Sequence, residues 1–210
     1  MKNLIIIGAG GYAKSVIDSV NYSDYNILGF IDEYSSKKEH LGIKIIGNSL
    51  NDVKNKEQCF YFIAIGNNIR RKIWYDKLVE NKLKLINVID KSAIVSPRAN
   101  IGDGCFIGKF AVVNAGATIG NNVIINTRAL VEHGCKVGNN CNLSTNTVLN
   151  GDVIVGDGSF VGSCSVTIGQ LSIGKWATVG AGAVVIKNVE DNVTVAGVPA
   201  KIISKGVMLG

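Results

Sequence analysis

A large aliphatic side chain recurs at every sixth position through the second half of the chain. Steps of six from Val95 to Val185 meet sixteen positions, of which fifteen are aliphatic and one is Thr167. Glycine often follows directly, and a small residue mostly stands four places later. A period of six fits neither a helix nor a two-sided strand. It predicts a solenoid in which three short strands close a triangular coil and coils stack by parallel pairing.

The first ninety residues show a different pattern. An apolar strand at residues 4–7 runs through a glycine turn into a helical stretch with Val16, Ile17 and Val20 on one face. Further strands are predicted at 60–65 and 85–89, with a helix over 68–79 between them. We therefore predict an α/β half-Rossmann domain over residues 1–90, followed by a parallel β-helix with a C-terminal tail over residues 91–210.

The glycine turn carries a phosphate-binding pattern. Gly8, Gly10 and Ala13 satisfy G-x-G-x-x-A, and Asp32 stands at the end of a second predicted strand. Bare backbone amides at a helix N-terminus hold phosphates, and an acidic residue at this place accepts a ribose hydroxyl. The alternative is that these glycines only form a tight turn. Because about ninety residues make half of a dinucleotide fold, a mononucleotide fits better than NAD.

Composition narrows the classes of partner. The net charge of +6 comes from scattered lysines rather than a basic run, which favours small phosphorylated ligands over nucleic acid. Five cysteines without C-x-x-C spacing indicate reduced thiols, and Cys105, Cys135 and Cys141 fall at inward positions of the repeat. The apolar runs are too short for a signal peptide or a membrane span. We expect a cytoplasmic protein without membrane contact.

The hexapeptide register and the closing segment VAGVPAK (195–201) resemble those of the hexapeptide-repeat acyltransferases, whose β-helix is left-handed. The whole chain is similar to one subfamily, the sialic acid O-acetyltransferases and nucleotide-4-amino-sugar N-acetyltransferases of the NeuD/PglD type. This resemblance implies a homotrimer, a nucleotide-linked sugar held by the N-terminal domain, and acetyl-CoA bound between neighbouring subunits as co-substrate. It implies no metal, and the two histidines, His40 and His133, are too few for a zinc site with about three histidine ligands.

His133 stands at an outward corner of the predicted coil. Steps of eighteen place Ala115 and Gly151 on either side of it, so the imidazole lies in a notch. The segment EHGC (132–135) is similar to the subfamily signature EH(D/E)C, which implies that His133 is the general base for attack on the thioester. The alternative is an ordinary surface histidine. The subfamily usually has Asp or Glu after the histidine, and with Gly134 in that place Glu132 becomes the candidate substitute.

The resemblance also assigns the remaining site residues. Asn126 matches a residue close to the acceptor group, while Tyr12 and Asn142 stand where relatives carry further histidines. Residues assigned to coenzyme A are Asn142, Gly151, Gly169 and Ala181. Residues assigned to the nucleotide are Gly8, Gly10, Gly11, Tyr12, Asp32, Glu33, Gly66 and Asn67.

The activity expected from this resemblance is acetyl-CoA-dependent N-acetylation of a nucleotide-linked amino sugar. Two alternatives stay open at this point: O-acetylation of a sialic acid-like sugar, and a non-catalytic trimeric binding protein.

Overall fold

The apolar segments of the N-terminal region form one twisted sheet. In the computed structural model, which describes residues 1–206, the strands are β1 Lys2–Ile7, β2 Tyr25–Ile31, β3 Glu39–His40, β4 Ile43–Gly47, β5 Phe60–Ile63 and β6 Lys84–Leu85. Their order in the sheet is β3-β4-β2-β1-β5-β6. The central strands are parallel, with β1 paired to both β2 and β5.

Two helices connect these strands. Helix α1 (Gly11–Ser19) follows β1 and buries Ala13, Val16 and Ile17. Helix α2 (Asn68–Glu80) follows β5 and buries Arg71, Trp74 and Leu78, so the predicted helix over 68–79 is confirmed. Short 3-10 turns at Leu50–Asp52 and Lys56–Gln58 complete the α/β unit.

The rest of the chain winds into a β-helix with three faces. Stacked strands pair in parallel at eighteen-residue steps, as in Phe106 with Ile124, which confirms the predicted coil. Face 1 holds β7 Val88–Ile89, β10 Phe106–Ile107, β13 Ile124–Ile125, β16 Asn142–Leu143, β19 Phe160–Val161, β22 Thr178–Val179, β24 Val193–Ala196 and the antiparallel β25 Lys201–Lys205. Face 2 holds β8 Ile94–Val95, β11 Val112–Val113, β14 Leu130–Val131, β17 Val148–Leu149, β20 Val166–Thr167 and β23 Val184–Val185. Face 3 holds β9 Asn100–Ile101, β12 Thr118–Ile119, β15 Lys136–Val137, β18 Ile154–Val155 and β21 Ser172–Ile173.

The second residue of each short strand points into the prism. These aliphatic side chains and the small residues between strands form one buried cluster. Cys105, Cys135 and Cys141 are fully buried there, as predicted. Burial raises the pKa of the Cys105 thiol to about 11 and that of Cys141 to about 12, so both remain protonated at neutral pH.

The outward residues give each face a different character. On face 1 the α/β unit covers Val88, Phe106 and Ile124. Face 3 is mainly polar, with Thr118 and Lys136 exposed to solvent. Face 2 presents one unbroken aliphatic row, which is partly or largely exposed in the single chain: Ile94, Val112, Leu130, Val148, Val166 and Val184.

One predicted element is wrong in its extent. The strand expected at 85–89 is divided, because β6 pairs with β5 of the α/β sheet whereas β7 pairs with β10 of the β-helix. Asn87 makes the division: its Nδ2 donates to Gly102 O at 2.8 Å, and its Oδ1 accepts from Cys105 N at 2.8 Å. These side-chain bonds take the place of backbone hydrogen bonds between strands, so the chain turns at Asn87. Pairing between strands of the β-helix therefore begins at Val88 rather than at Val95.

A buried carboxylate holds α1 against the first coils. Asp90 Oδ2 accepts hydrogen bonds from Ser19 Oγ at 2.7 Å and from Lys109 Nζ at 2.8 Å. Burial opposes ionisation of Asp90, but the hydrogen bonds from Lys109, Ser92 and Ser19 outweigh it and hold the pKa well below its usual value. Within residues 1–206 there is no helix of the length and hydropathy that a membrane span requires.

Candidate functional site

A cavity of about 230 Å³ opens at the carboxyl ends of β1, β2 and β5. This is the edge at which open α/β sheets bind ligands. All eight residues assigned to the nucleotide line it: Gly8, Gly10, Gly11, Tyr12, Asp32, Glu33, Gly66 and Asn67. The same lining includes Ile7, Ile31, Ala64, Ile65, Arg70 and Trp74. The fold thus brings together three sequence segments that the fingerprint connected only by spacing.

The glycine loop is shaped by close backbone approach. Gly8 has a φ of +96°, and a Cβ there would lie 2.8 Å from Ile65 Cγ1 and 2.9 Å from Ala64 O. A side chain at position 8 would therefore separate the β1 and β5 loops. Gly10 is the N-cap of α1, and a Cβ at Gly10 or Gly11 would meet no atom of residues 1–206 within 4 Å apart from its chain neighbours and the α1 backbone. Free space in front of a helix N-terminus is suited to an anionic group.

The Asp32 carboxylate is already engaged by the backbone. Its Oδ2 accepts from Ala9 N at 2.7 Å, and its Oδ1 accepts from Tyr34 N at 2.9 Å and Ser35 N at 3.0 Å. These bonds link the glycine loop to the loop after β2. Asp32 thus fixes the shape of the cavity, and its contact with a ribose hydroxyl stays a prediction.

The floor of the cavity reaches face 1 of the β-helix. The Tyr12 ring stands edge-on to Phe106, with centroids 5.4 Å apart, and its buried hydroxyl has no partner within residues 1–206. Burial raises the pKa of this hydroxyl, so it stays protonated. Asn142 Nδ2 donates to Gly66 O at 3.4 Å, while its buried Oδ1 finds no partner in the described part of the chain. Tyr12 and Asn142 thus carry neutral polar groups with unused hydrogen-bonding capacity within the described residues.

Arg71 fixes the Gly66 loop to the β-helix, and sequence reasoning missed it. The side chain is 1% exposed, and its Nη1 donates to Gly66 O at 2.9 Å. Its Nε donates to Asn122 O at 3.1 Å, and its Nη2 donates to Asn140 O at 2.8 Å. Burial lowers the pKa of Arg71 to about 10, which leaves the guanidinium charged at neutral pH. Its partners are mostly backbone carbonyls, which no sequence motif marks.

Arg70 is the second residue that sequence reasoning missed. It lies in the first turn of α2, lines the cavity and stacks its guanidinium 4.2 Å from the centroid of the Tyr34 ring. A cation in the first helical turn after a strand could have been recognised as a candidate for contact with phosphate.

His133 lies at the corner between faces 2 and 3, and it is exposed. Its ring covers the backbone of Gly151, since a Cβ added there would lie 2.5 Å from His133 Cε1 and 2.8 Å from Nε2. The outward orientation and the bare neighbour are as predicted. Gly169 lies at the equivalent position of the coil that follows Gly151, and a Cβ added to it would lie 3.0 Å from Gly151 O. We call His133, Gly151 and Gly169 the histidine corner.

The carboxylate expected beside the imidazole is directed elsewhere. Glu132 Oε2 accepts from Asn114 Nδ2 at 2.9 Å and from the His133 backbone N at 3.3 Å, and no hydrogen bond joins it to the ring within residues 1–206. Gly134 has no side chain, and Asp152 Oδ1 lies where a Cβ at position 134 would be.

The other predicted residues lie apart from the histidine corner in a single chain. Asn126 and Ala181 are at the corner between faces 1 and 2, where Asn126 Oδ1 accepts from Thr127 N at 2.8 Å. Asn142 is on face 1, and His133 does not line the cavity. Among residues 1–206, no group of three or more His, Cys, Asp or Glu side chains could hold a metal ion.

Comparison with known proteins finds two family profiles in the chain. Residues 3–78 match "PglD N-terminal domain", and residues 98–133 and 116–151 match "Bacterial transferase hexapeptide (six repeats)". In sequence, the chain is 37% identical over 117 residues to UDP-N-acetylbacillosamine N-acetyltransferase of Bacillus subtilis, covering 51% of either protein. Another curated relative is matched over 20% of its length, so the chain spans about half or less of these relatives.

Solved structures match over nearly the full chain. PerB from Caulobacter crescentus, in complex with CoA and GDP-perosamine, has a TM-score of 0.91 and 35% identity, covering 97% of this chain and 98% of PerB. The acetyltransferase domain of PglB from Neisseria gonorrhoeae, in complex with acetyl coenzyme A, has a TM-score of 0.91 and 34% identity, covering 96% and 99%. The predicted fold class, a half-Rossmann unit followed by a left-handed β-helix, is confirmed.

Proposed function

The chain belongs to the family of hexapeptide-repeat sugar acyltransferases with a PglD-type N-terminal domain, and from this we propose that it transfers an acetyl group from acetyl-CoA to the amine of a nucleotide-linked amino sugar. PerB, which shares the fold over nearly its whole length, is described with CoA and GDP-perosamine bound. The observation that carries the proposal is a phosphate-suited cavity on the same chain as an exposed imidazole standing over a bare glycine.

The nucleotide part of the acceptor suits the cavity at the carboxyl edge of the sheet. The N-terminus of α1 and the open space above Gly10 and Gly11 favour a diphosphate. Arg70 adds a cation at the same cavity. Glu33 and the Asp32 loop offer acceptors for ribose or base donors. We assign Tyr12, Gly66 and Asn67 to the end of the cavity nearest the β-helix.

His133 is the general base in this proposal. The sugar nitrogen attacks the thioester carbonyl carbon, and the imidazole takes the proton that the nitrogen loses as the new C–N bond forms. Collapse of the tetrahedral oxyanion then breaks the C–S bond, and the thiolate leaves and takes up a proton as CoA. The backbone amide of Gly151 is the proposed donor to the oxyanion, since the amides of Asn150 and Asp152 already donate to Thr167 O and His133 O. Since the cysteines of the coil interior are buried with raised pKa values, direct transfer is favoured over a thioester on the chain.

We propose that the site is completed by a second copy of the chain in a homotrimer. In one chain, the histidine corner and the corner with Asn126 and Ala181 lie at opposite edges of face 2. Face 2 is also the face whose outward row is wholly aliphatic. A row of this kind favours burial against another protein surface. Contact through face 2 would place the histidine corner of one copy beside Asn126 and Ala181 of the next, leaving a groove between them for coenzyme A, with Gly169 on its wall.

Product analysis tests the reaction. Acetyl-CoA and a panel of nucleotide-linked amino sugars are incubated with the protein, and mass spectrometry should show an acceptor gaining one acetyl group. His133→Ala should lower the rate by about 10²–10⁴-fold, as expected for loss of a general base. His40→Gln is the matched control, since His40 lies on β3 against Phe30. Transfer by His133→Ala at more than a tenth of the wild-type rate would contradict the general-base role.

Light scattering tests the assembly. Val148→Lys places a charge in the aliphatic row of face 2 and should convert trimers to smaller species. Thr118→Lys places the same charge on polar face 3 and should leave the trimer intact. A wild-type mass of one chain, about 22.3 kDa, would reject the assembly.

A further inference from the structure

Two glycines at and next to the histidine corner, Gly151 and Gly134, are each covered by a side chain from the adjacent coil. The His133 ring lies over Gly151, and the Asp152 carboxylate lies over Gly134. The backbone fixes this arrangement, since Asp152 N donates to His133 O at 2.9 Å. His133, Gly134, Gly151 and Asp152 thus form a patch two coils high and two residues wide, with one side chain from each coil.

We propose that Asp152 is the positioning residue for the His133 imidazole. This inference rests on the proposed function of His133 as general base. The oxygen Oδ1 of Asp152 occupies the space in which a side chain at position 134 would begin. A carboxylate therefore stands where the side chain of the residue after the histidine would begin, although that residue is glycine. It comes from the following coil instead.

The Asp152 carboxylate is available for this role. It accepts no hydrogen bond from any residue in 1–206, and Asp152 is exposed. Glu132, the other carboxylate near the ring, is held by Asn114. The ring nitrogens of His133 also make no hydrogen bond within the described residues, so both groups are free to respond to bound substrate. Asp152 has a φ of +60°, a backbone conformation that Asp and Asn tolerate better than most residues.

The separation between the two residues is suited to electrostatic support. Coils stack about 4.8 Å apart and consecutive Cα atoms lie about 3.8 Å apart, which gives roughly 6 Å between the Cα atoms of His133 and Asp152. Opposite charges on side chains of residues this close attract each other. The imidazolium forms during the transfer, so Asp152 supports the step more than it supports substrate binding.

The first test removes the charge and retains the shape. Asp152→Asn should lower kcat about tenfold and leave KM for acetyl-CoA and for the acceptor within a factor of three. Glu190→Gln removes one exposed carboxylate elsewhere on the β-helix and should leave kcat unchanged. An Asp152→Asn protein with kcat within twofold of wild type would overturn the assignment.

The second test moves the carboxylate from position 152 to position 134. Gly134→Asp alone should be slow, since its Cβ position coincides with the Asp152 carboxylate. The double variant Gly134→Asp with Asp152→Gly frees that space and should recover kcat to within about threefold of wild type. If the double variant stays as slow as Asp152→Asn, the carboxylate does not act through the space beside His133, and the proposal is wrong.

A spectroscopic measurement separates this proposal from the proposed function. The chain has two histidines, so ¹⁵N-imidazole NMR in a His40→Gln background reports on His133 alone. Asp152→Asn should change the His133 tautomer or protonation signals, and Glu190→Gln should not. Unchanged signals in Asp152→Asn would overturn the proposal even if the protein is active. Absence of acetyl transfer by the wild type would reject the function but leave this measurement readable.

Discussion

Replacing Gly151 with alanine tests whether the imidazole works where it lies. The three protein atoms nearest to the added Cβ all belong to the His133 ring, the closest being Cε1 at 2.5 Å. Non-bonded carbon atoms prefer about 3.5–4.0 Å. The ring must therefore move by about 1 Å or more, or rotate away from the corner. The φ of Gly151 lies outside the left-handed region, so alanine adds no backbone strain.

The expected result is a large loss of rate with little loss of stability. Misplacement of a catalytic group by about 1 Å costs on the order of 10²-fold. Steady-state kinetics should therefore show kcat reduced about 10²-fold in Gly151→Ala, with a melting temperature close to that of wild type because the displaced ring is exposed.

A double-variant cycle provides the control. Once His133 is alanine, the clash no longer exists, so adding Gly151→Ala should not reduce the residual kcat, measured at saturating acetyl-CoA because Gly151 is also assigned to the coenzyme A groove. Retention of more than half of wild-type kcat by Gly151→Ala would refute the reasoning, because the ring would then be shown to act from another position. A further large loss in the His133→Ala background would also refute it, because the effect would then not pass through the imidazole.

Three further predictions follow from the buried groups. Asp90→Asn should destabilise the fold by about 1–3 kcal/mol at pH 7. Because the pKa of Asp90 lies below its ordinary 3.8, this difference in the free energy of unfolding, measured in urea, should persist above pH 4 and shrink as the pH falls below that value. An equal difference at pH 3 would contradict this prediction. Arg71→Met should lower the free energy of unfolding by about 3–5 kcal/mol, since it leaves buried carbonyls unpaired. Arg71→Lys should recover little of this stability, because lysine lacks the planar guanidinium fork. Thermal unfolding tests both variants, and a lysine variant as stable as wild type would be inconsistent with this prediction. In native protein, one of the five thiols should react rapidly with a colorimetric disulfide reagent, because Cys164 is exposed and the other cysteines are buried. Cys164→Ser should remove this fast reaction. Several rapidly reacting thiols would contradict the burial of the other four cysteines.

The β-helix was largely predictable because its repeat constrains each residue twice. An aliphatic residue at every sixth position must fill the prism, and each eighteen-residue step must repeat the same environment. The repeat alone therefore predicts His133 at an outward corner with Gly151 above it. Its start was misplaced because the repeat was counted from Val95, whereas Ile89, six residues earlier, already pairs with Ile107 in the first rung.

The α/β unit was predictable in its elements but less so in its interactions. The fingerprint identified the segments that line the cavity, since parallel strands end at one edge of the sheet. It did not show that Asp32 is held by three backbone amides. Such bonds depend on the path of loops, and a sequence motif specifies residue types rather than loop geometry.

The junction between the two parts explains why the remaining features of the site could not be predicted. Arg71 lies in α2, but its acceptors Gly66 O, Asn122 O and Asn140 O come from three separate turns. Backbone carbonyls carry no sequence signature, so nothing in the residue pattern pairs this arginine with them. Yet the same side chain holds Gly66, a wall of the nucleotide cavity, against the β-helix. Because a buried guanidinium loses several hydrogen bonds if either side moves, the cavity and the β-helix are held in one geometry. In the proposed reaction, the orientation of the acceptor sugar relative to the coil would be determined by contacts between parts that the sequence describes separately.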